Sequence, residues 1–169
     1  MQVKTIGFSA LLGATIFLEK IIFPPPYDKI FTVFIQAALL TIGFLIAGPI
    51  GPMLAGVISG ALMTIARPEF FAMTFFFAAL YGLLISMFMT AFGVNQQRRV
   101  SKKRLLASSA LASAIVGSLS SLTSVYLGVI VFNISIVVGI MVAGIVEGAL
   151  GGYLASIVWE KSLRYLVSN

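Results

Sequence analysis

Residues 95–104 read Asn95-Gln96-Gln97-Arg98-Arg99-Val100-Ser101-Lys102-Lys103-Arg104, the densest run of positive charge in the chain. On one side lies an apolar stretch that opens Phe70-Phe71-Ala72-Met73-Thr74-Phe75-Phe76-Phe77. On the other lies an apolar, serine-rich stretch from Leu105 to Phe132. Each is longer than the ~20 apolar residues that a helix needs to cross a ~30 Å hydrocarbon core. A basic loop between two such runs belongs on the cytoplasmic side of a membrane, because short cytoplasmic loops carry the excess of Lys and Arg.

Working outward from this loop, breaks at charges, prolines and glycines divide the chain into six spans. They cover roughly 3–23, 29–48, 50–66, 69–93, 103–132 and 134–160. The first ends before Pro24-Pro25-Pro26 and the second at Gly48-Pro49. The segment Gly48-Pro49-Ile50-Gly51-Pro52 reads as a turn or as a kink. The N-terminal run resembles a signal peptide, but Glu19 and Lys20 interrupt it and no A-x-A site follows, so it reads as a retained first helix. With six spans, Lys4, Lys161 and Arg164 share the side of the basic loop, and Lys20, Lys29 and Arg67 fall opposite. Glu19, Asp28 and Glu69 fall near that opposite, outer side. A five-span arrangement would separate the basic loop from the basic tail. The expected fold is an all-α membrane protein, a single bundle of about six transmembrane helices with N and C termini cytoplasmic.

Composition agrees. Hydrophobic residues make up 60% of 169, charged residues only 9%, and the mean hydropathy is +1.10. A soluble domain carries about 25% charged residues. A transmembrane barrel would show ~10-residue segments of strict alternation, whereas the apolar runs here are unbroken. The net charge of +6 is mostly topological and gives no reason to expect a nucleic-acid partner. Cysteine and histidine are absent, which excludes disulfides, thiolate or histidine catalysis, and metal or haem sites built on those ligands. No phosphate-binding GxxxxGK[ST], no GxGxxG and no nucleophile elbow occurs. The chain is therefore expected to be no enzyme and to hold no cofactor. Any ATP hydrolysis linked to its work would belong to partner subunits.

Several residues within the spans invite a functional reading. Glu147 is the one carboxylate deep in a span, ~21 Å along the helix from Asn133. A charge there is costly and faces the bundle interior or a cavity, so it is either a solute ligand or a buried tie between helices. Tyr81, halfway along its span, offers a ring and a hydroxyl among apolar neighbours. Gln36 is a further polar residue that needs a partner. Tyr27, Asp28, Tyr126 and Asn133 stand near the outer ends of spans, where they would capture a polar solute or simply anchor the interface. The serines of the fifth span can bond back to their own helix carbonyls and need no functional reason. Small residues recur four apart at Ala10 and Ala14, at Gly56 and Gly60, and at Gly144, Gly148 and Gly152, a spacing that lets helices approach closely.

This layout resembles the substrate-binding S components of energy-coupling factor (ECF) vitamin transporters, which are small six-helix membrane proteins. The likeness runs over nearly the whole chain: Ala10-x-x-x-Ala14 in the first helix, then a proline-containing outer loop, then the small-residue stretch from Gly48 to Leu62. Arg67-Pro68, an aromatic helix, a basic inner loop and a last helix running Gly144 to Ala155 complete it. The resemblance implies that Ala10 and Ala14 dock onto a membrane coupling subunit that works with two ATPases. It implies a solute site facing outward, formed by Tyr81, Tyr126, Asn133 and Glu147, with Tyr27 and Asp28 as a lid. The solute would be a vitamin or its precursor, and the location a prokaryotic cytoplasmic membrane. Two other functions remain open on the sequence: a stand-alone secondary carrier, and an accessory structural subunit of a larger membrane complex.

Overall fold

A computed structural model describes residues 2–22, 28–66, 68, 71–96, 99–128 and 131–163. The described residues form six α-helices: α1 (Gln2–Ile22), α2 (Asp28–Ala47), α3 (Ile50–Ala66), α4 (Phe71–Ala91), α5 (Lys102–Tyr126) and α6 (Ile134–Val158). A single π-helical turn, Trp159–Leu163, follows α6. Four helices, α1, α4, α5 and α6, are long and apolar enough to cross a membrane. The apolar stretches of the other two, Val33–Ala47 and Ile50–Ala66, are shorter. By helix length and hydropathy the chain is a multi-pass integral membrane protein.

Glycines in the left-handed region end three of these helices. Gly48, at φ 68°, closes α2 by donating its N–H to the Phe44 carbonyl, and Pro49 follows. A helix very commonly ends this way, because glycine meets no Cβ penalty there and proline cannot continue the ladder. The segment between α2 and α3 is thus a turn and not a kink. The Ser86 hydroxyl of α4 donates to the Pro49 carbonyl at 2.7 Å and fixes that turn to a third helix. Gly93 closes α4 similarly.

The fifth span differs from its expected extent. It stops at Tyr126 rather than near 132, because Gly128 takes φ 71° and the Leu127 and Gly128 N–H groups cap the carbonyls of Thr123 and Val125. Residues 127–133 carry no charge, so hydropathy alone ran the span through them. Asn133 then caps α6, accepting from the Ser135 N–H at 2.9 Å. The basic loop also holds a small ribbon, in which Asn95–Gln96 (β1) pairs antiparallel with Arg99–Val100 (β2).

Around the bundle the helices follow the order α1, α3, α4, α5, α6, α2. α2 additionally touches α3, α4 and α5, so it reaches every other helix and lies nearest the centre. Its buried residues, Gln36, Ala37, Ala38, Leu40, Thr41, Phe44 and Leu45, accordingly occupy more than one face. The outward faces stay apolar, with Val3, Leu18, Phe76, Met87, Leu122, Val142 and Leu150 all exposed. Lipid, not water, suits such a surface.

Small residues set the spacing between helices. A Cβ placed at Gly56 of α3 would lie 2.5 Å from the Ala78 carbonyl oxygen of α4, and one at Gly13 of α1 would lie 2.9 Å from the Ala55 carbonyl oxygen of α3. One at Gly151 of α6 would lie 2.7 Å from the Phe34 carbonyl oxygen of α2. These distances are too short for any side chain, so the backbones touch directly, as close-packed membrane helices do. At the end of the bundle that holds the basic loop, Lys102 and Glu160 form an exposed ion pair at 2.8 Å, joining the start of α5 to the turn after α6.

Candidate functional site

The α5/α6 seam carries the most polar part of the interior. On α5, Ser109 and Ser113 are one turn apart and buried. Each donates its hydroxyl to its own helix, Ser109 to the Leu105 carbonyl at 2.7 Å and Ser113 to the Ser109 carbonyl at 2.9 Å. Opposite them runs the α6 stripe Gly144, Gly148 and Gly152. A Cβ at Gly144 would lie 3.0 Å from the Ser113 carbonyl oxygen, and one at Gly148 would lie 2.5 Å from that of Ser109. Serines and glycines in matching period four therefore interlock.

Tyr81 of α4 reaches into this seam. It is 3% exposed, and its hydroxyl is hydrogen-bonded to the Ser113 hydroxyl. Ser113 has one hydroxyl proton and gives it to Ser109, so Tyr81 is the donor and Ser113 Oγ the acceptor. Glu147 of α6 is partly buried and adjoins Gly148, which packs on Ser109 and Ser113, so its Cα stands at a similar depth. A carboxylate, a phenol and a serine hydroxyl thus come from three helices to the middle of the bundle. Each lies roughly midway along its helix, ~15–20 Å from either end at 1.5 Å per residue. Such a set can accept and donate hydrogen bonds to one small polar molecule, or hold three helices in register.

Thr41 is a further buried hydroxyl, about two turns along from the level of Glu147. It is fully buried on α2, and its hydroxyl has no hydrogen-bond partner among the described residues. Thr41 follows Ala37 by four residues, and Ala37 faces Gly151 of α6, so Thr41 lies on the α6-facing side of α2. Gln36 is buried on the same helix.

The sequence-derived candidates separate into three groups. Tyr81 and Glu147 lie at a similar depth near mid-bundle, on α4 and α6. Tyr126 and Asn133 do not join them: Tyr126 is 89% exposed at the end of α5, and Asn133 spends its side chain capping α6, ~21 Å along the helix from Glu147. Tyr27 lies outside the described residues, and of Asp28 only the backbone, at the first position of α2, is described. Ser113 and Thr41 were missed as site candidates. The signal for Ser113 was its period-four match to the glycine stripe; nothing local marks Thr41.

Ala10 and Ala14 lie on the flank of α1, only partly covered, and share that side of the helix with Gly7. A Cβ at Gly7 would have open space around it. Val3, Leu11, Leu18 and Ile21 around them are exposed, whereas Leu12, Gly13 and Ile16 turn inward.

No protein-family model, curated protein or solved structure matches the chain.

Removing the Tyr81 hydroxyl tests the seam. Tyr81→Phe deletes a donor but leaves Ser113 bonded to Ser109, so no buried donor is orphaned. The expected loss is about 1 kcal/mol. Thermal unfolding in detergent checks it, and an unchanged midpoint would place the phenol outside the interlocked core.

Proposed function

We propose that the chain is the solute-binding subunit of an ATP-driven importer of the energy-coupling factor kind, holding a vitamin-sized solute for transfer inward. The observation that carries this reading is the buried Tyr81–Ser113 hydrogen bond at mid-bundle, with the partly buried Glu147 at a similar depth on α6, beside the Gly148 that packs on Ser113. A carboxylate at that depth is expensive, and such residues face the bundle interior and mark solute or ion pathways. The exposed Gly7 and the partly covered Ala10 and Ala14 on one side of α1 support the second half, since small residues let a partner helix approach closely. The coupling subunit would dock on that side, with the ATPases behind it. Tyr126 and Asn133, at the outer end, would meet the solute on entry.

Native mass spectrometry of protein purified in mild detergent, with extraction of bound small molecules, tests the reading. One vitamin-sized compound per chain is expected. Empty protein held in a stable complex with other membrane subunits would instead make it an accessory subunit. Uptake by the purified chain alone in liposomes would make it a secondary carrier. Glu147→Gln should lower solute retention tenfold or more, the equivalent of one charge-assisted hydrogen bond of about 1.5–3 kcal/mol. Unchanged retention together with an unchanged melting temperature would remove Glu147 from both site and core.

A further inference from the structure

Two surface grooves meet on α5. The first lies where α4 ends and α5 begins; Ala91, Phe92 and Ala107 line it together with Lys103 and Arg104. The second is almost wholly apolar and runs along the outer seam of α5 and α6. Its floor includes Ala107, Ala114 and Ser118, and Leu119, Met141 and Ile145 form its sides. Ala107 belongs to both. They therefore adjoin on one side of α5, a basic groove beside an apolar one, and together give a channel with a basic mouth, an apolar trough and room for one elongated ligand.

We infer that this channel holds one anionic phospholipid, its phosphate at Lys103 and Arg104 and one acyl chain in the trough below Ala107. The dimensions fit. From Ala107 to Leu119 the trough runs about 18 Å at 1.5 Å per residue, against about 15 Å for one half of the hydrocarbon core. The charge fits as well. Lys102 is paired with Glu160, whereas Lys103 is exposed and makes no ion pair among the described residues. Arg104 is held over the end of α4 by a hydrogen bond to the Gly93 carbonyl at 3.3 Å, which keeps its guanidinium at the mouth. Phe92 is exposed beside Lys103 and Arg104. The positive-inside rule places this end at the cytoplasmic leaflet, the one rich in anionic lipid. A zwitterionic headgroup would gain less from the two cations, because its own ammonium offsets the charge of its phosphate. A free phosphate would leave the trough empty.

The test uses the full chain in detergent, titrated with phosphatidylglycerol or phosphatidylcholine of the same acyl composition and observed by native mass spectrometry. One phosphatidylglycerol per chain is expected to persist at activation energies that strip phosphatidylcholine. Lys103→Gln should weaken phosphatidylglycerol retention about fivefold, the typical worth of one basic residue at an anionic surface, and weaken phosphatidylcholine retention less. Ala107→Trp fills the junction without touching a charge and should weaken retention at least as much. Both positions are exposed, so both variants keep the fold, which circular dichroism verifies. Equal retention of the two lipids, or phosphatidylglycerol retention that survives either substitution, overturns the inference. So does displacement of the lipid by glycerol phosphate, which carries the charge and lacks the chains.

Discussion

Gly148→Val should strongly destabilise the protein, while Gly139→Val on the same helix should leave its stability almost unchanged. The two glycines differ only in what faces them. A Cβ at Gly148 would lie 2.5 Å from the Ser109 carbonyl oxygen and 2.8 Å from the Ser113 Cβ, whereas one at Gly139 meets nothing within 4 Å. The Ser109 carbonyl is backbone in the middle of α5 and cannot swing away as a side chain would. To admit the valine, α5 and α6 must separate along the seam. That loses the interlock with Gly144 and Gly152 and pulls Ser113 from Tyr81. Overpacking typically costs 1–3 kcal/mol, and the rigid neighbour puts this case at about 3 kcal/mol or more. For a chain of this size that lowers the melting temperature by about 10 °C. Gly139→Val should stay within about 0.5 kcal/mol, as surface changes do. Adding Ser113→Ala to Gly148→Val should rescue little, because it removes the hydroxyl and leaves the backbone carbonyl in place. Equal melting temperatures for the two valine variants would mean that α5 and α6 are not in backbone contact at this turn.

The contrast also shows what the sequence could and could not convey. Unbroken apolar runs and one basic loop are enough for an all-α bundle, because a bilayer leaves helices as the only local way to satisfy the backbone. Gly144, Gly148 and Gly152 signalled close packing by their spacing, yet named no partner. The serines of α5 hid theirs. Ser108, Ser109, Ser113, Ser120, Ser121 and Ser124 all bond back to their own helix. Only the lateral neighbour distinguishes Ser113, and lateral neighbours depend on the order of helices around the bundle. That order, with α1 beside α3 and α2 drawn to the centre, arises from many weak contacts that no local pattern encodes. The end of α5 was missed for a plainer reason. Charge marks a span boundary strongly, and at Gly128 the only signal was a glycine among many.

If the chain is the importer subunit proposed above, replacing Ala10 and Ala14 together with leucine should abolish ATP-driven uptake and leave solute binding within about twofold of the parent chain. Both alanines lie on the flank of α1, away from Leu12 and Ile16, and neither belongs to the mid-bundle set of Tyr81, Ser113 and Glu147. Two leucines there gain room in lipid, so the isolated chain loses little. A partner helix seated against Gly7, Ala10 and Ala14 would instead meet two branched side chains where it needs backbone contact. The loss is then confined to assembly: solute retained by the purified variant, no co-purification of a coupling subunit, and no transport in reconstituted vesicles. Gly7→Leu should act in the same direction, since Gly7 shares that side of the helix and has open space around it. If binding and uptake fall together, the alanines belong to internal packing and the docking surface must be sought elsewhere. If neither falls, no partner approaches this face, and the importer reading loses the part of its case that rests on α1.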